Sequence, residues 1–258
     1  MNKIYGSIVW FIVTLFVVYS FCLNTAAAVF AATIQTSLQA SNMDVALASG
    51  AFILGFAFMQ IPAGYLLDKY NARFVVSVGV FVLAVGNVII SFSDNIVIYA
   101  IANFMQGLGA SFAFIAAAVL ISQWFSGKVF PILFGLTQTL SCVLAGIIHY
   151  YFTILLATHT WNEIYQGLAI FGSILFVLTL LIVKTPSGYK REKSISLRKS
   201  LAIVLGNKQL WLCSLSAAAS FGVLLAYAGF LYFRVQSFYS TENLQAVIIS
   251  GMIFLGIG

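Results

Sequence analysis

Few residues in this chain could do chemistry, and outside a single basic loop one short stretch gathers two cations and a carboxylate. The stretch "GYLLDKYNAR", Gly64 to Arg73, sets the carboxylate of Asp68 beside Lys69 and closes on Arg73. Residues of these types can form an ion pair, cap a helix end or meet a phosphate. They supply no nucleophile–base pair of the kind an enzyme needs. Cys22, Cys142 and Cys213 show neither a Cys-x-x-Cys pair nor Cys/His ligand spacing, so they read as small hydrophobes, and the sequence implies no metal and no cofactor. His149 is the titratable exception within an apolar run, and its place toward the end of that run reads as an interfacial histidine.

The elements that must position these residues follow from composition. Hydrophobic residues make up 62% of the 258 and charged residues 7%, against roughly 25% charged in a soluble domain. The apolar residues fall in runs of about 20, the length an α-helix needs to cross about 30 Å of hydrocarbon. A barrel would show alternating segments of about ten instead. The fold class is therefore an all-α polytopic membrane protein, with spans at 6–30, 46–67, 74–92, 96–121, 129–152, 163–183, 209–233 and 243–258. The eighth, ending "MIFLGIG", has 16 residues and would rise only about 24 Å, so the chain is expected to be truncated. Lys3, the apolar run and "NTAAAVFAA" resemble a secretory signal, but the run from Ile4 to Leu23 exceeds a signal core and more spans follow, which makes it the first helix.

Basic residues accumulate in cytoplasmic loops. With the N-terminus inside, eleven of the twelve cations fall on the cytoplasmic side, and Arg234 alone falls outside. Asp44, Asp94, Glu163 and Glu242 lie in the opposite loops. Trp10, Trp124, Trp161 and Trp211 each stand near a predicted helix end and read as interface anchors. No Asn-x-Ser/Thr acceptor occurs, which favours a bacterial inner membrane.

"KTPSGYKREKSISLRKS" is the long polar segment of the chain and reads as a basic connector against anionic lipid, not as a nucleic-acid site. The organisation is then a six-helix bundle over 1–183, a cytoplasmic linker over 184–208, and the first two spans of a second bundle over 209–258. That is the outline of a two-half secondary transporter. "FILGFAFMQIPAG" and "PILFGLTQTLSCVLAG" share an Ile-Leu start, a mid-helix glutamine and an Ala-Gly end, as three-helix repeats within the half would. Uncharged polar groups at midplane depth need partners. Asn24, Thr25, Asn103, Gln106 and Gln138 are the candidates for substrate contact, with interhelical hydrogen bonding as the rival role for each.

These segments resemble the major facilitator superfamily. Its loop after the second span, Gly-x-x-x-Asp-Arg-x-Gly-Arg-Arg, is matched by Gly64, Asp68, Lys69 and Arg73, with Asn71 in the second glycine's place, a residue that tolerates the left-handed conformation. "NFMQGLGA" resembles its Arg-x-x-Gln-Gly-x-Gly segment with Asn103 for the arginine; "SQWFSGKVFPILFGL", "HTWNEIYQGLAIFG" and "NKQLW" resemble its entries to the fifth, sixth and seventh spans. The resemblance implies that Asp68 meets a helix of the second half and holds a cytoplasmic gate shut, with Gly64 allowing close approach and Lys69 and Arg73 pairing with Asp68 or lipid phosphate. It also implies that the first and fourth helices line a central cavity. The family's antiporter signature is absent from "FGLTQTLSCVLAGIIHYY", and the arginine missing at Asn103 weighs against proton coupling.

The expected function is transport of a small polar solute, such as an amino acid, peptide or sugar, by alternating access, in a protein that works as a monomer when complete. A seven-helix receptor would place "DKY" after the third span with the N-terminus outside, the reverse of the order here. A non-transporting membrane protein is the other alternative. The split of cations generates a test: a cysteine introduced at Ser194 is expected to resist an impermeant thiol reagent added outside intact cells, and labelling from outside would reverse the topology.

Overall fold

The structure, a computed structural model, describes residues 3–186, 197–220 and 222–223. The chain divides into two compact units between Tyr189 and Lys190. The first holds α1 (Lys3–Ser37), α2 (Asn42–Lys69), α3 (Ala72–Ser91), α4 (Ile96–Ala110), α5 (Phe112–Trp124), α6 (Phe130–Leu155) and α7 (Trp161–Ile182). In the second, α8 (Leu197–Gly206) turns part of the predicted linker into helix, and helical residues 208–220 enter the seventh predicted span. The rest of that span, Arg234 and the eighth span lie outside the described residues.

Six helices of the described residues, with α4 and α5 counted as one span, are long and apolar enough to cross a membrane. Four of them begin where the sequence supplies a partner for unpaired N–H groups. Ser41 with Asp44 and Thr160 with Glu163 form capping boxes at α2 and α7, and Asn95 caps α4. Two acids of the expected outer loops thus serve helix starts. Asn71 does the same for α3: its φ of −64° is extended, and its side chain accepts from the Arg73 N–H. The left-handed backbone expected at this position is not adopted, because a helix starting at Ala72 needs an N-cap there.

Packing places α1 against α2, α4, α5, α6 and α7, while α2 pairs with α4 and α3 with α4 and α7. The α2–α4 seam depends on missing side chains. A Cβ added at Gly107 would collide with the carbonyl oxygen of Phe52, and one at Gly55 with that of Phe104, so the two backbones cross glycine to carbonyl in both directions. Small residues allow such crossings where lipid gives helices no hydrophobic reason to associate. Gly107→Ala is expected to destabilise the intact protein by about 1–3 kcal/mol through overpacking, read as a lower melting temperature. Gly167→Ala, where nothing lies within 4 Å of the added carbon, is the control expected to melt as wild type.

Candidate functional site

The charged cluster lies at the end of the bundle where α2 stops and α3 starts. Asp68 and Lys69 are exposed, and a Cβ at Gly64 would meet no described atom within 4 Å. Asp68 forms no ion pair or hydrogen bond with a described residue. Lys69 Nζ stands 5.4 Å from the ring centroid of Tyr65 and 5.5 Å from that of Tyr70. Arg73 does not pair with Asp68: its Nε donates to the carbonyl of Val183 at 3.0 Å. The reason is geometric, since Arg73 occupies the first turn of α3 beside the last turn of α7, whose final carbonyls have no helical partner.

Two more donors reach the same helix end. Tyr5 Oη donates to the Ile182 carbonyl at 2.6 Å, and Trp124 Nε1 to the Lys184 carbonyl at 2.9 Å. Side chains of α1, α3 and α5 therefore hold three consecutive carbonyls where the chain leaves the bundle. Trp124 does more than anchor at an interface, and so do two other tryptophans: Trp10 donates to Thr137 Oγ1 at 2.9 Å, and Trp161 is buried.

Four of the five polar candidates go to separate partners, and none of the five bonds to another. Asn103 is buried and donates back to the Tyr99 carbonyl at 2.9 Å. Gln138 is half-buried, with its Nε2 3.4 Å from Cys142 Sγ of its own helix. Asn24 is half-buried and has no hydrogen bond with a described residue. Thr25 Oγ1 lies 2.7 Å from His149 Nε2. His149, expected at an interface, is buried against α1, in a seam of α6 that also includes Ser141, Cys142, Ala145 and Phe152, at the three- and four-residue spacing of one helix face. It sits six residues before the end of α6, about 9 Å along the axis.

Gln106 joins a buried relay that the sequence reading did not contain. The Leu168 carbonyl can only accept, so Tyr19 Oη donates to it, at 2.7 Å. The phenol oxygen then accepts from Asn87 Nδ2 at 2.7 Å, which turns Asn87 Oδ1 toward Gln106 Nε2 at 2.9 Å. One fixed acceptor orients every group from α7 through α1 and α3 to α4. Asn87 and Gln106 are fully buried, and Gln106 Oε1 ends the relay without a partner. Glycines give it room: a Cβ at Gly172 would strike Tyr19 Oη, and one at Gly86 would stand 2.6 Å from Gln106 Cγ. Asn87 was the available signal, an amide within the apolar run "AVGNVII" that had to find a partner.

Asn87→Leu removes one bond to Tyr19, which keeps its own bond to Leu168, and leaves the Gln106 amide without a partner; a buried polar group left unpaired costs about 1–3 kcal/mol. A clear drop in melting temperature is expected for Asn87→Leu and for Gly172→Ala. Wild-type melting in both would mean that the relay does not hold the helices.

Comparison with known proteins follows the same architecture. Multidrug resistance protein MdtL of Escherichia coli is 22% identical over 171 residues, 64% of this chain and 44% of that protein. The Shewanella oneidensis protein of that name is 21% identical over 151 residues, 58% of this chain and 38% of the relative. The chain thus spans under half the length of these curated relatives. Among solved structures, a bacterial homologue of the human lysosomal transporter Spinster, inward-facing and occupied, is similar with a TM-score of 0.76 at 18% identity, over 99% of this chain and 59% of that one. The Escherichia coli xylose transporter XylE, partially occluded and inward open, gives 0.62 at 12% identity, over 97% and 68%. The family model described as the Major Facilitator Superfamily matches residues 12–258, and the chain belongs to that family.

Proposed function

We propose that the protein moves a small, uncharged or zwitterionic polar solute across a bacterial inner membrane by alternating access, with its N-terminus in the cytoplasm and its complete form a monomer. The observation that carries the solute class is the interior of the bundle: among the described residues its buried polar side chains are amides, hydroxyls and His149, with no Asp, Glu, Lys or Arg. A charged solute would need a partner charge in a low-dielectric cavity. Amides and hydroxyls instead suit amino acids, short peptides or sugars.

Half-buried Asn24, Thr25 and Gln138 are the candidates that a solute reaches most directly. Asn103 and Gln106, whose amides are engaged inside the half, would take part through the helices they hold. The names of the relatives point to different cargoes, drugs and xylose among them, so the polarity of the interior carries the choice. In the gate, Asp68 is the member of the Gly64, Asp68, Lys69, Arg73 cluster free to meet a second bundle, since Arg73 is engaged at the end of α7.

The test is uptake of a defined mixture of amino acids, short peptides and sugars into proteoliposomes of the intact protein, read by mass spectrometry against empty liposomes. Selective entry of one uncharged or zwitterionic class is expected, and entry of none of them above the control would overturn the reading. Asp68→Asn is expected to lower that uptake and raise cytoplasmic-side accessibility at matched expression, while Lys69→Arg changes little. Wild-type values of both quantities in Asp68→Asn would leave the cluster as a topology signal only.

A further inference from the structure

α1 changes character along its length. Its first turns expose Ile4, Ile8 and Phe11, as a helix facing lipid does, but beyond Phe11 it exposes no large apolar side chain. α2, α3, α6 and α7 leave such residues open throughout, among them Phe58, Phe81, Ile147 and Ile174. What the later part of α1 leaves open is half-buried Asn24, then exposed Ala28, Ala32 and Thr36, each four residues on and so on one face. Thr25 is half-buried beside it. A face of small residues would suit a packed helix as well as a bound solute, and His149 decides between the two.

His149 is 9% exposed and reaches Thr25 from α6. Its partners fix the tautomer. Thr25 Oγ1 donates its single hydrogen to the carbonyls of Phe21 and Cys22, at 3.0 and 3.2 Å, so toward His149 Nε2 at 2.7 Å it accepts. The Cys22 carbonyl, which can only accept, faces the same nitrogen at 3.5 Å. Nε2 therefore carries the hydrogen. An imidazolium would need an acid beside it, and the described interior buries no Asp or Glu. The neutral ring then leaves Nδ1 as an acceptor.

That acceptor bonds to no described residue. Nor is it closed in: among the described residues the buried side-chain atoms shut off without a partner are Gln106 Oε1, Gln123 Oε1 and Thr185 Oγ1. An apolar helix packed here would leave Nδ1 buried and unpaired, a costly state. A solute that donates to it would not. The donor has to be neutral, because an amino acid or short peptide brings an ammonium and a carboxylate to an interior that pairs neither. Hydroxyls meet that condition.

We infer that His149 is a solute-binding residue whose Nδ1 accepts a hydroxyl hydrogen from a sugar or polyol beside the C-terminal half of α1, with Thr25 as the positioning residue that holds the ring. The inference rests on the transport reading above and narrows its solute class to hydroxyl carriers.

The first test is read without transport. Diethyl pyrocarbonate modifies an accessible, unprotonated imidazole nitrogen, and peptide mass spectrometry of the intact protein in detergent separates His149 from His159, which is exposed in the loop before α7. Both are expected to label. At least one of glucose, xylose and mannitol, in large excess, is expected to slow His149 several-fold and leave His159 unchanged, while alanine protects neither. A His149 that never labels, or that labels alike with and without all three, would overturn the site. Protection by alanine and by none of the three would overturn the hydroxyl assignment. In uptake, His149→Leu is expected to raise KM for the protecting compound about ten-fold, the worth of one hydrogen bond, with kcat nearly kept. His149→Asn, whose amide oxygen stands where Nδ1 did, is expected to recover part of that loss. A fall in kcat at wild-type KM would make His149 a structural residue and overturn the binding role. Protection by a sugar in a protein that carries none would keep the site and overturn the transport reading, so the two fail separately.

Discussion

Hydrocarbon offers no water to a polar group, and that constraint organises this bundle. Every buried donor or acceptor must find a protein partner or remain costly. The helices satisfy their own backbones, and what remains is a limited set of amides, hydroxyls and aromatic donors. These are spent between helices. α1 shows it most fully: Tyr5 and Tyr19 donate to carbonyls of α7, Trp10 donates to Thr137 of α6, and Thr25 contacts His149 of the same helix. One helix is thereby tied to two neighbours at several depths, so its tilt and rotation are set by hydrogen bonds as well as by shape.

The seams fall into two kinds. Between α2 and α4 the helices approach because Gly55 and Gly107 have no side chains, and the attraction is close contact of backbones. Between α1 and α6 the contact is polar and registered by single atoms, as in the 3.2 Å approach of Thr14 Oγ1 to Thr137 Oγ1. The relay through Tyr19, Asn87 and Gln106 combines both, since Gly86 and Gly172 clear the space its hydrogen bonds occupy. Such an arrangement resists sliding of one helix past another. The alternating access proposed for the complete protein would draw on that resistance, since each half would have to rock as a body.

Much of this was legible in the sequence because membrane spans announce themselves by length and composition. The six runs, their order and the Gly64–Arg73 cluster could be read directly, and Asn103, Gln106 and Gln138 stood out as amides in apolar surroundings. What could not be read was which residue each amide would meet. Asn87 and Gln106 lie 19 residues apart, and their contact requires the antiparallel register of two helices. His149 illustrates the same limit: its distance from the end of α6 suggested an interface, but the helical face it shares with Cys142 and Ala145 turns it into α1. Asn71 was read as a glycine substitute, whereas the local need was a cap for α3.

The charged cluster that first draws the eye therefore divides by what its neighbours leave undone. Arg73 is drawn inward because α7 ends beside it with unpaired carbonyls, and a helix C-terminus favours a cation. Lys69 rests on Tyr65 and Tyr70. Asp68 faces the same end, but the helix terminus nearest to Arg73 presents carbonyl oxygens, which repel a carboxylate. The free N–H groups that would attract it belong to helix starts, and α3 has already given its own to Asn71. Within the described half, then, the carboxylate has a charge and no place to use it, and the side chain left over is the one that another body can engage.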